Sequence, residues 1–180
     1  ALKDIQSIIS DGSEGLIRKG LGLDKSSKFL DAAKSQFLNY YQHNLIKETT
    51  VYDGIEEILR SIENSDRPWG IVTNKPSRFT IPILEHFGWQ NRANCVICGD
   101  NLGKNKPSPV PLIEGAKRMN LLTEDCVYIG DALCDVEAAK AARMFSITAG
   151  YGYVPDEDWK NLWMSDGVIQ TPLDLGKWLI

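Results

Sequence analysis

The feature that most constrains this chain is a change of rhythm after Asn44. From there on, short apolar runs alternate with helical stretches. The runs are Trp69-Gly70-Ile71-Val72-Thr73, Cys95-Val96-Ile97-Cys98, Cys126-Val127-Tyr128-Ile129, Phe145-Ser146-Ile147-Thr148 and Gly167-Val168-Ile169. Each is short and nearly continuous, as expected of parallel strands covered on both faces. Between them the spacing predicts helices over roughly Phe79–Phe87, Val110–Met119 and Val136–Ala142. A further helix is expected after Asp53, with that carboxylate at its N-cap, Glu56 three residues on, and Ile55, Ile58, Leu59 and Ile62 on one face. Alternating β and α implies an α/β fold with a doubly wound, Rossmann-like parallel sheet.

The segment before this change reads differently. Leu2, Ile5, Ile8 and Ile9 form one apolar stripe; Leu16, Ile17 and Leu21 form a second, broken by Gly20 and Gly22. Phe29, Ala32, Ala33, Phe37, Tyr40 and Tyr41 form a longer one at helical spacing. The expected division is therefore a helical block over residues 1–48 and an α/β core over 49–180.

With 43 % hydrophobic residues in 180, the chain can bury a substantial core and is not of disordered composition. Its net charge of −4 is scattered, and no basic block argues for nucleic acid. No apolar run approaches the roughly 20 residues that span a bilayer. The start, Ala1-Leu2-Lys3-Asp4-Ile5, does not read as a signal peptide. A soluble, cytoplasmic protein without membrane partners is the expectation. The five tryptophans and six tyrosines fit a monomer's core or a homodimer's interface equally well. Cys95 and Cys98 form a C-x-x-C, but on a strand they point to opposite faces. Plain buried thiols in a reducing compartment are expected, rather than a zinc or redox pair.

In doubly wound sheets, ligands bind beyond the carboxyl ends of the strands. Three strand ends carry chemistry. Thr73-Asn74-Lys75 follow the first strand. A loop with Lys104 and Lys106-Pro107 follows the second. Gly130-Asp131, with Asp135 one helical turn on, follow the third. A threonine hydroxyl and backbone N–H groups at a strand-to-helix junction can hold a phosphate oxygen. A lysine can balance charge on a transferring phosphoryl group. Two carboxylates four residues apart suit a hard cation such as Mg²⁺. Taken singly, each feature has a plain explanation in turn or cap chemistry. Together, on successive strand ends, they describe phosphoryl transfer.

The runs Ile71-Val72-Thr73-Asn74-Lys75-Pro76, Lys106-Pro107 and Gly130-Asp131-Ala132-Leu133-Cys134-Asp135 resemble motifs two, three and four of the haloacid dehalogenase superfamily. The chain is most similar to its phosphoglycolate phosphatase-like branch. Trp69-Gly70, Arg78-Phe79, Tyr151-Gly152-Tyr153 and Pro155-Asp156-Glu157-Asp158 resemble the bacterial N-acetylmuramic acid 6-phosphate phosphatases within it. The resemblance implies an enzyme that hydrolyses a small phosphomonoester through an aspartyl-phosphate, with Mg²⁺ as cofactor. It implies that Thr73 and Asn74 bind the phosphate and Lys106 balances its charge. Asp131 would ligate the metal, and Asp135 would hold the metal's waters or orient Lys106. The helical block would be a cap, with Gly12, Ser13 and Arg18 facing the substrate.

One departure matters. The family's motif one, D-x-D-G-T after an apolar strand, carries the nucleophile and the general acid, and nothing in this sequence fits it. Asp4 lies in a helical stretch, and Asp11-Gly12 follows one. The resemblance places the motif-one strand between those ending at Thr73 and Ile129. The chain as given is thus expected to lack a central strand, to leave two sheet pieces with unpaired edges, and not to turn over substrate. A non-catalytic protein that binds phosphorylated ligands or a partner is the alternative reading.

Overall fold

The computed structural model describes residues 8–9, 12–154 and 163–178. Leu2, Ile5, Asp4, Asp11 and the Pro155–Asp158 stretch lie outside them. Among the described residues the first two α-helices are α1 (Gly12–Leu21) and α2 (Leu30–His43), packed on each other with a Lys34–Glu14 ion pair between them. On α2 the inward face is Leu30, Ala33, Phe37 and Tyr41, whereas Phe29 and Tyr40 are exposed. Three residues of the stripe read from the sequence, Phe29, Ala32 and Tyr40, are exposed and lie together on one flank of the packed face. Tyr40 stands about 100° around the helix from Tyr41 and so misses the packed face.

Helix α3 (Ile55–Asn64) follows. Its N-cap is Gly54 at φ 88°, not Asp53, and no side chain caps it. A left-handed residue turns the chain into the helix here, a conformation natural to glycine, so no carboxylate is needed. The face with Ile58 and Ile62 packs as expected. Then come β1 (Gly70–Val72), α4 (Ser77–His86), β2 (Cys95–Ile97), α5 (Val110–Arg118), β3 (Val127–Gly130), α6 (Leu133–Ala141), β4 (Phe145–Ala149) and β5 (Gly167–Ile169). All five strands stand where the apolar runs predict them, and all pairings are parallel. Helices α4 and α6 begin two to three residues earlier than expected.

The strands do not form one sheet. β1 pairs with β2, and β3-β4-β5 form a second sheet, so the break falls between β1 and β3. Helices α5 and α6 pack together across the break. Leu112, Ala116, Ala138, Ala139, Ala142 and Met144 form one core, against which Val72 and Tyr128 lie. Ile58, Ile147, Ile169 and Leu175 form another, with Ile62, Ile129 and Tyr151. Between the pieces runs an apolar cavity of about 770 Å³, lined by Ile58, Ile62, Ile71, Val72, Tyr128 and Ile129 among others. Arg92 holds α3 to the loop after α4. Its guanidinium bonds both Glu56 and Glu63, which also accept the indole N–H groups of Trp89 and Trp69. Cys95 and Cys98 are buried free thiols. No helix among the described residues is long and apolar enough to cross a membrane.

Candidate active site

Thr73 is the first residue beyond β1. Its N–H donates to Ile97 O at 2.9 Å, extending the ladder with β2. Its Oγ1 accepts the N–H of Lys75 at 3.1 Å, which tightens the turn into α4. A trans peptide points its C=O and the next N–H in opposite directions. Since the Thr73 N–H faces β2, the Val72 carbonyl faces the break between the sheets.

Lys106 reaches that carbonyl. Its ammonium lies 3.0 Å from Val72 O, 2.6 Å from Tyr128 Oη and 2.7 Å from Asp135 Oδ1. The Tyr128 hydroxyl also donates to Val72 O at 2.9 Å. The lysine and aspartate side chains are only 9 % and 8 % exposed, so this is a buried ion pair, with the ammonium's hydrogen bonds going to Val72 O and Tyr128 Oη. Burial alone would lower the Lys106 pKa. The Tyr128 phenol and the Asp135 carboxylate outweigh it and hold the ammonium charged well above its usual range. Burial pushes the Tyr128 phenol up to about 12, against the opposing pull of Lys106.

Asn74 clasps the same loop. Its Nδ2 donates to Lys106 O and its Oδ1 accepts the Lys106 N–H, both at 2.9 Å. The structure thus gives Asn74 the task of shaping the lysine's backbone. The next strand-end carboxylate, Asp100, is committed to Ser77, accepting its N–H and its hydroxyl.

At the end of β3, Asp135 Oδ2 accepts the N–H groups of Asp131 and Ala132, both at 3.1 Å. This closes the first turn of α6 and leaves Asp135 Oδ1 for Lys106. The carboxylate fits because Gly130 lacks a side chain, and a Cβ there would run into Asp135 Cγ. Asp131 is held differently. Its Oδ2 accepts the Tyr153 N–H at 2.9 Å, while Oδ1 makes no hydrogen bond among the described residues. Tyr52 and Tyr151 stand nearby, edge to face at 5.1 Å. Burial, then Tyr153 and Asp131, raise the Tyr52 pKa.

The structure therefore brings Thr73, Asn74, Lys106, Asp131 and Asp135 to one edge. Gly12, Ser13 and Arg18 lie on α1, and among the described residues none of them hydrogen-bonds or ion-pairs with that group. The helical block touches the core through α2 instead: Lys75 Nζ donates to Tyr41 Oη at 2.8 Å, and Tyr41 stands edge-on to Phe79. Sequence reasoning missed Tyr128, Gly130 and Tyr41. Only Tyr128 had a signal, as a polar aromatic inside an otherwise apolar strand run.

Residues 2–149 match the family model of the haloacid dehalogenase-like hydrolases. The chain belongs to that family. Among curated haloacid dehalogenase relatives, the N-acetylmuramic acid 6-phosphate phosphatase of Pseudomonas putida is 34 % identical over 173 residues, covering 96 % of this chain and 78 % of that protein. A phosphoglycolate phosphatase of Xanthomonas campestris is 35 % identical over 175 residues, covering 97 % and 78 %. Among solved structures, a "predicted phosphoglycolate phosphatase" from Haemophilus somnus superposes with a TM-score of 0.88 at 23 % identity, covering 100 % of this chain and 83 % of that one. That likeness shows the haloacid dehalogenase fold.

Proposed function

We propose that this protein is a Mg²⁺-dependent phosphomonoesterase that acts on a small phosphorylated metabolite through an aspartyl-phosphate. The observation that carries the reading is the convergence of Thr73, Lys106 and Asp131 on one strand edge, with Asp135 holding Lys106 in place. In this reading the Thr73 hydroxyl and the Asn74 N–H hold phosphate oxygens. Lys106 balances the charge of the phosphoryl group. Asp131 presents its free Oδ1 to the cation, a hard oxygen donor of the kind Mg²⁺ takes. Among the described residues no group of three or more His, Cys, Asp or Glu forms a closed cage. When bound, the cation supplies neutralisation of the phosphoryl oxygens.

Among the described residues the strand-edge aspartates are committed, Asp100 to Ser77 and Asp135 to Lys106, and Asp131 is assigned to the cation, so this reading takes the nucleophile from elsewhere. We place it on a further parallel strand, N-terminal in the family's order, lying in the apolar gap between β1 and β3. Both facing edges are unpaired there, and Val72 O takes its hydrogen bonds from two side chains in place of a strand. A strand N–H bonded to Val72 O would release a Lys106 donor toward the phosphoryl group. Helices α1 and α2 would be the cap, with Gly12, Ser13 and Arg18 toward the substrate, closing the site against bulk water. Phosphoglycolate and N-acetylmuramic acid 6-phosphate, named by the relatives, are the two substrates to try first.

A second reading, a non-catalytic binder of phosphorylated ligands or of a partner, draws on the same commitment of the described strand-edge aspartates to other partners. The two separate in one experiment. Phosphate release from both substrates is measured with and without Mg²⁺, for the 180-residue chain and for a version carrying the added strand. The enzyme reading expects Mg²⁺-dependent turnover from the second form alone. Ligand binding by both forms with turnover by neither supports the binder.

A further inference from the structure

The turn after β4 approaches the proposed metal carboxylate from a neighbouring strand. Gly150 N–H donates to Ile169 O at 2.8 Å, which seats the turn on the end of β5. Tyr151 packs into the core around Ile147 and Ile169. Gly152 N–H donates back to Ala149 O at 3.0 Å. With three anchors the turn is fixed before it meets Asp131. There it makes two contacts. Tyr153 N–H donates to Asp131 Oδ2 at 2.9 Å. Gly152 lies so close that a Cβ on it would stand 2.5 Å from both Cβ and Oδ2 of Asp131. The approach is to the base and one oxygen of the carboxylate, and the other oxygen is left open.

We propose that Gly152 and the Tyr153 N–H form a positioning clamp for Asp131, fixing one carboxylate oxygen so that the other is presented to a divalent cation. The inference rests on the metal role proposed for Asp131. It assigns a function to a turn that none of the strand-end motifs includes. Partners of this kind fix the orientation of a ligating carboxylate, and their loss typically weakens metal binding by about 10–100-fold. A side chain at position 152 would push Asp131 off its donor and rotate Oδ1 away from the strand edge. The clamp also couples β4 to β3 at the site, so a cation held by Asp131 draws on the rigidity of the whole three-stranded piece.

The test uses the complete chain and two readouts. Amide exchange followed by NMR should show the Tyr153 N–H protected in wild type and unprotected in D131A, with neighbouring strand amides unchanged. Mn²⁺ binding followed by electron paramagnetic resonance should weaken by at least about tenfold in G152A. It should stay at the wild-type value in G20A, whose helical glycine has open space around it. A Tyr153 amide that is unprotected in wild type, or that stays protected in D131A, overturns the clamp even where G152A fails to fold. A folded G152A that binds Mn²⁺ as wild type does also overturns it. Wild type without Mn²⁺ binding refutes the metal role of Asp131, and the exchange data then judge the clamp separately.

Discussion

The ammonium of Lys106 lies 2.7 Å from Asp135 Oδ1 in a setting from which water is nearly excluded. Two motifs that are 29 positions apart in sequence meet there, because the loop after β2 and the helix after β3 both lie at the same edge. The pair has consequences for stability as well as chemistry. Removing one partner of a buried ion pair strands the other charge, at a cost of about 3–5 kcal/mol. K106M should therefore lower the chemical-denaturation stability by about 3 kcal/mol. The double variant K106M/D135N should lose less than the sum of the two single changes, which equilibrium unfolding in urea would read directly.

Alkaline pH tests the same cluster from another side. Lys106 and Tyr128 both hold their protons more tightly in the folded state, since both pKa values are raised. In the unfolded chain they titrate near about 10.4 and 10. Their contribution is thus complete below about pH 10 and is lost as the pH climbs, for Tyr128 through about 12. Unfolding free energy should be level in this respect up to about pH 10 and fall beyond it. Y128F removes the phenol, and its fall above pH 10 should be shallower than that of wild type.

Gly130 makes a steric prediction. A methyl group at that position meets the Asp135 carboxylate that organises both Lys106 and the start of α6. G130A should cost about 1–3 kcal/mol, the range for overpacking a tight site. Thermal unfolding should show it as a drop of several degrees, whereas G20A, at a helical glycine with open space around it, should not lower the midpoint.

The helical block is joined to the core at a point the sequence did not announce. Tyr41 accepts a hydrogen bond from Lys75, which in turn donates its own N–H to Thr73. Y41F keeps the ring against Phe79 and removes only the hydroxyl. It should cost about 1 kcal/mol, the typical net worth of a hydrogen bond. Faster amide exchange in α2, with the strands of the core unchanged, is the signature to look for.

Much of this fold was legible because parallel strands buried on both faces leave continuous apolar runs, and all five were read correctly. The strand-end residues were legible for the same reason, since a strand's end fixes where the next side chains go. Helix starts were harder. Asp53 looked like a cap and is not one, because a left-handed Gly54 does the work through backbone geometry that no periodicity encodes. The tertiary partners were out of reach. Nothing in the spacing of Tyr128 says that its hydroxyl crosses to Val72 O, and nothing in Gly152 says that Asp131 lies against it. Such contacts arise only when separate loops are folded together.

In the proposed reaction this strand edge transfers a phosphoryl group with the help of a cation on Asp131. Its most direct test is the steady-state hydrolysis of phosphoglycolate and N-acetylmuramic acid 6-phosphate by the form carrying the added strand, with Asp131 intact or changed in D131N. Turnover should require Mg²⁺ and fall by about a hundred- to a thousandfold in D131N, as expected when a charge-stabilising group is lost from phosphoryl transfer. Turnover that persists without Mg²⁺, or that D131N leaves unchanged, would contradict it.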